Sequence, residues 1–97
     1  FDGVLVNYYP NSRAQMGYHS DPQDNKWDNN FIVLTIGQTR RFIFREISNK
    51  YKKKEFTFSE GDIIYMFDDC QKKYEHSVRK STEENEDRIS LVFKRSI

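Results

Sequence analysis

The residues with the clearest chemical potential lie in the stretch 7–21, which closes on His19-Ser20-Asp21. An imidazole and a carboxylate two positions apart share one face of an extended chain, because the side chains of a strand alternate. The only other histidine, His76, falls far along the chain in a second strand-like segment, so a fold must bring it back. Two His and one Asp around a single ion form the facial triad of non-haem Fe(II) sites, which leaves positions open for further ligands. The alternative is a surface His beside an Asp, with an unrelated buried His elsewhere.

Positioning these groups falls to short strands. Apolar runs separated by turn residues occur throughout, and no helical period holds over three turns. Strands are predicted at 3–9, 15–21, 31–36, 40–47, 55–58, 63–67, 74–78 and 87–94. The segments between them read as loops. They are 22–30 with Trp27, the basic 48–54, 68–73 with Cys70, and the charged 79–86. Eight short strands with turn signals between them indicate an all-β, antiparallel sandwich, jelly roll or barrel.

Two strands carry a polar face. Arg88, Ser90, Val92 and Lys94 alternate with Ile89, Leu91 and Phe93, and Asn7 and Tyr9 alternate with Val4, Val6 and Tyr8. If both polar faces line an interior mouth, both apolar faces point outward and need a cover. No amphipathic helix in the 97 residues supplies one. The chain also opens inside a strand without Met, so it is expected to be a single core domain, 1–97, of a longer protein.

The composition bounds the rest. Sixteen basic and fifteen acidic residues nearly cancel, so no global field marks a nucleic-acid binder. Aromatic residues, at 15%, offset the low hydrophobic fraction and argue against disorder. One cysteine, Cys70, excludes an internal disulfide and suggests an intracellular setting, cytoplasm or nucleus. It reads as an ordinary buried thiol. No apolar run approaches the ~20 residues of a membrane span, and a monomer is the simplest expectation.

Five segments, in order, carry a family resemblance. They are Asn7-Tyr-Tyr9; Gly17-Tyr-His19-Ser-Asp21; Gly37-Gln-Thr-Arg40-Arg-Phe42; Gly61-Asp-Ile-Ile-Tyr-Met66 with His76-Ser-Val; and Arg88-Ile-Ser90-Leu-Val-Phe-Lys94. The chain resembles the AlkB-like 2-oxoglutarate- and Fe(II)-dependent dioxygenases over nearly its whole length. The resemblance implies a double-stranded β-helix, or jelly roll, with flanking N-terminal helices and a lid lying outside this chain. It implies an enzyme in which His19, Asp21 and His76 hold iron and Arg88 pairs with the distal carboxylate of 2-oxoglutarate. Asn7, Tyr9, Ser90 and Lys94 would contact the same co-substrate. The family motif usually ends in a second Arg where Lys94 stands; lysine keeps the charge but loses the two-pronged donor, which bears on the tightness of co-substrate binding. Val92 likewise stands where the family has Thr.

Each role has a plainer alternative. Arg88 could form a salt bridge within 83–87, and Asn7 and Tyr9 could be a strand-end cap and a core ring. Lys94 could reach for water. Tyr18 and Trp27 could stack on a flat substrate or pack as core or lid. The lysines of 50–54 read first as a solvated connection and second as a track for phosphates. The implied activity is oxidative demethylation of N-alkylated nucleobases in DNA or RNA, with O2 as oxidant. The alternatives are the same chemistry on a protein or small molecule, or a non-catalytic binding module.

Overall fold

The computed structural model describes residues 1–81 and 86–97. Most of the loop expected over 79–86 lies outside the described residues. Eight strands are present among the described residues: β1 (Gly3–Tyr9), β2 (Met16–His19), β3 (Trp27–Gly37), β4 (Arg40–Glu46), β5 (Lys53–Phe58), β6 (Ile63–Met66), β7 (Tyr74–Val78) and β8 (Arg88–Ser96). One helical turn, α1 (Cys70–Lys73), precedes β7. The strands form two four-stranded sheets, ordered β1-β8-β3-β6 and β2-β7-β4-β5, and every pairing is antiparallel. This is the jelly roll that the family resemblance implies, one of the three antiparallel architectures that the spacing of strands and turns left open.

Alternation decides what lies inside. Phe31, Val33 and Thr35 of β3 point between the sheets, with Ile64 and Met66 of β6, Val92 of β8, Phe42 of β4 and Val78 of β7. The Phe42 ring meets Phe58 edge-on, with centroids 5.3 Å apart. At Gly37, between β3 and β4, the backbone takes φ +92°, and an added Cβ would meet the Asp87 carbonyl oxygen at 2.5 Å. Only glycine satisfies both demands there. That close approach places the start of β8, and therefore Arg88, against the end of β3.

The outer face of the first sheet is apolar, as the alternation of β1 and β8 implies. Its registers build three rows: Val4, Phe93, Ile32 and Tyr65; Val6, Leu91, Leu34 and Ile63; Tyr8, Ile89 and Ile36. Val6 is 57% exposed and Ile63 62%.

Two loop assignments are corrected. Trp27 opens β3 rather than lying in a loop, and pairs with Ser96 across an irregular register. The expected loop 68–73 contains α1, whose last residues, Lys72 and Lys73, suit a helix C-terminus. Strand β5 begins two residues earlier than expected and β8 runs two residues further, while β2 stops at His19.

Candidate metal and co-substrate site

Strands β2 and β7 pair so that His19 and His76 are register partners, on the inner face of the second sheet. Their ring centroids lie 4.4 Å apart. Asp21, just past the end of β2, reaches both: Oδ1 is 3.7 Å from His19 Nε2 and Oδ2 is 3.6 Å from His76 Nε2. One ligand atom from each of the three lies within 4.8 Å of the others. No closer bond joins them, and Asp21 Oδ2 is buried without a hydrogen-bond partner. A buried carboxylate oxygen facing two imidazoles, with nothing else to satisfy it, suits a cation between them.

The surrounding chain fixes this geometry. The Gly17 carbonyl accepts from His19 Nδ1 at 2.8 Å, so Nδ1 carries the proton and Nε2 is left as the donor to a metal. Gln71 of α1 accepts from the Asp21 backbone N–H at 2.7 Å, and Ser20 donates to the Tyr74 carbonyl at 2.7 Å. Burial, opposed by Asp21 and reinforced by His19, pushes His76 down to about 4, so it is neutral at pH 7. The Asp21 carboxylate facing its ring raises His19 against burial, helped by the Gly17 carbonyl. Burial works against an ionised Asp21, but His19, His76 and Lys94 outweigh it and hold the carboxyl below its usual range.

Next to this triad the interior is cationic. Arg88 is fully buried on the inner face of β8. It donates from Nη2 to Thr35 Oγ1 at 3.3 Å, while Nε and Nη1 have no partner. No ion pair joins Arg88 to a carboxylate among the described residues. Burial lowers its basicity, as does the charge of Arg40. Tyr9 pairs with Arg88 and Asn7 with Ser90 across β1–β8. The Tyr9 hydroxyl interacts with the side chains of Ser90 and Arg88, and burial raises its pKa against their pull. Lys94 is buried at the other end of the β8 inner face, its Nζ 5.5 Å from the Phe31 ring and 5.9 Å from that of Trp27. Buried cations, one of them with two unsatisfied donors, are costly in a core unless an anion meets them.

The structure brings together His19, Asp21 and His76, and groups Asn7, Tyr9, Arg88 and Ser90. It does not bring Tyr18 to them. Tyr18 projects from the opposite face of β2, where the Arg45 guanidinium stacks 3.4 Å over its ring and pairs with Glu75 at 2.6 Å. Trp27 packs against the core and sits over Gly3, near Lys94. Cys70 is half-buried, and burial pushes its thiol up. Sequence reasoning missed Thr35, Gln71 and Arg40. Of these, Arg40 was detectable, since period 2 puts it on the face of Phe42 and Phe44.

A jelly roll that closes two imidazoles and one carboxylate around an open position defines the mononuclear iron oxygenase class. Residues 1–94 match the family described as the 2OG-Fe(II) oxygenase superfamily, and the chain belongs to it. It is 41% identical over 96 residues to an uncharacterized protein of Acanthamoeba polyphaga mimivirus, covering 97% of this chain and 49% of that protein. It is 26% identical over 103 residues to the alpha-ketoglutarate-dependent dioxygenase alkB homolog 3 of Homo sapiens, covering 97% of this chain and 36% of that one. The fold is similar to that of OsALKBH1, with a TM-score of 0.73 at 18% identity over 95% of this chain and 48% of the other. Within the superfamily the chain is AlkB-like. It spans about half the length, or less, of these relatives.

Proposed function

We propose that this chain is the core of an Fe(II)- and 2-oxoglutarate-dependent dioxygenase that demethylates N-alkylated nucleobases in nucleic acid. The observation that carries the reading is the pairing of two unsatisfied buried groups, Asp21 Oδ2 and the Nε and Nη1 of Arg88. The first asks for a cation and the second for a carboxylate.

In this reading His19, Asp21 and His76 hold the iron. Arg88, Tyr9 and Asn7 hold 2-oxoglutarate, with Ser90 acting through Tyr9 and Lys94 adding positive charge beside Asp21. When bound, iron and co-substrate supply the oxidative chemistry: O2 converts 2-oxoglutarate to succinate and CO2 and hydroxylates the N-methyl group, which then leaves as formaldehyde. The chain supplies preorganisation. Gly17 fixes the His19 tautomer, and burial keeps His76 neutral and ready to donate its lone pair. Gln71 steadies Asp21, and the buried guanidinium orients the dicarboxylate without solvent competition.

The nucleic-acid substrate is supported by the AlkB-like relationship and by the exposed lysines 50, 52, 53 and 54, which suit a phosphate backbone. A base in a duplex would have to be flipped out to reach the iron. We also read the chain as a single core domain within a longer protein. The exposed outer rows of the first sheet support a cover contributed by further residues.

The test is turnover with Fe(II), 2-oxoglutarate and an N-methylated oligonucleotide. Succinate and formaldehyde are expected in equal amounts, and both should vanish with the unmethylated strand. Succinate formed at the same rate with every nucleic acid would point to a protein or small-molecule substrate. No succinate and no Fe(II)-dependent binding of 2-oxoglutarate would leave only a binding module.

A further inference from the structure

Arg40, the first residue of β4, is 1% exposed and has no carboxylate partner among the described residues. Its Nε donates to Gln38 Oε1 at 2.9 Å, and its Nη1 to the carbonyls of Ala14 at 2.6 Å and Arg79 at 3.0 Å. Its Nη2 donates to the Asn11 carbonyl at 2.8 Å. Every acceptor is neutral. The side chain therefore ties the connection between β1 and β2 to the end of β7, and does so with a charge that no described residue balances.

That charge sits beside the one already described. The Arg40 guanidinium carbon lies 5.6 Å from the centre of the Tyr9 ring, and that of Arg88 lies 4.9 Å from the same centre. Two buried cations flank one phenol ring, and no described acid pairs with either. Desolvating a guanidinium costs several kcal/mol, and a well-packed apolar side chain is often the more stable choice at such a position. A second buried cation without an acid partner among the described residues makes physical sense if an anion arrives.

We propose that Arg40 is a positioning residue for the distal carboxylate of 2-oxoglutarate. Its charge strengthens the field at the free donors of Arg88. Its bonds to Asn11 and Ala14 hold the chain leaving β1, so that the Tyr9 hydroxyl stays turned to Ser90 and Arg88. This rests on the co-substrate reading above and adds to it a residue that does not touch the ligand.

The experiment compares two ligands on Mn(II)-loaded protein without oxygen: 2-oxoglutarate, and 2-oxopentanoate, which has the same chelating end but lacks the far carboxylate. Binding is followed by calorimetry, or by the thermal shift each ligand produces where binding is weak. Arg40→Met is expected to weaken 2-oxoglutarate about tenfold, since a buried charge interacts strongly at low effective dielectric, and to leave 2-oxopentanoate within about twofold. Arg40→Lys, which keeps the charge, should retain most of the preference for the dicarboxylate. If Arg40→Met does not fold, Arg40→Gln, which keeps an amide donor for the carbonyls, takes its place. Equal weakening of both ligands, or of neither, would overturn the proposal. Wild-type protein that does not distinguish the two ligands would instead overturn the role of Arg88, and with it the co-substrate reading.

Discussion

His19 and His76 face each other across the β2–β7 pair with ring centroids 4.4 Å apart, and one carboxylate, Asp21, reaches both. Strand pairing sets this relationship. The register that makes the two histidines partners also turns both rings to the inner face. The carboxylate arrives because β2 ends at His19 and the chain is still extended enough to present the next-but-one side chain on the same side.

Removing a member of this group should abolish metal binding while sparing the fold. Asp21→Ala and His76→Ala are each expected to weaken Mn(II) binding by more than ~100-fold, because even outer contacts cost about 10–100-fold. Gln71→Leu, which removes the acceptor for the Asp21 backbone N–H, should fall within that lower range. Calorimetry against circular dichroism separates loss of metal from loss of structure.

Acid should destabilise the metal-free protein through His76. Folding holds this imidazole at about 4, against 6.5 for an ordinary one. Between those values the unfolded chain takes up a proton that the folded one refuses, so stability falls as pH drops through the window. At ~1.36 kcal/mol per pH unit, the loss is at most ~3 kcal/mol. His19, raised by Asp21, acts in the opposite sense: its contribution is present in acid and lost as pH rises through its folded value. Melting curves across the window should slope for the parent and flatten for His76→Phe. A flat parent curve would contradict a neutral, buried His76.

Arg88 should matter to the ligand more than to the fold. Arg88→Met removes a buried cation with two unsatisfied donors, so the ligand-free protein should melt at the same temperature or higher. Binding of 2-oxoglutarate should weaken by about 10–100-fold, the worth of a charge-assisted pair of ~1.5–3 kcal/mol. A large drop in melting temperature without ligand would mean that Arg88 is a structural element.

Gly3 is predicted to tolerate no side chain. An added Cβ would stand 2.3 Å from the Trp27 ring, so Gly3→Ala must displace the indole. Overpacking of this kind costs about 1–3 kcal/mol. The change should appear as a lower melting temperature and altered tryptophan fluorescence.

The strands were readable because alternation is strong where one face is buried. In β8 the four inner residues and three outer ones separate cleanly, and the site could be anticipated from that face. The beginning of β3 was hidden by Asp28, Asn29 and Asn30, which resemble a turn in sequence and fall where the register of β3 with β8 shifts. α1 is a single turn, too short to show a period. Tyr18 was misplaced by proximity: adjacent residues of a strand point to opposite faces, so nearness to His19 in sequence puts it on the far side. Arg40 was visible in the family segment with Gly37 and Phe42, but its role was not, because its partners are backbone carbonyls that leave no mark in the sequence.

The outer side of the first sheet sets how this polypeptide behaves in a tube. Rows of exposed aliphatic and aromatic groups crossing the sheet make an adhesive surface. A preparation limited to these 97 residues should self-associate as concentration rises. Val6→Lys with Ile63→Lys should return it to single particles in sedimentation experiments while Mn(II) binding stays the same, because both side chains point away from the ion.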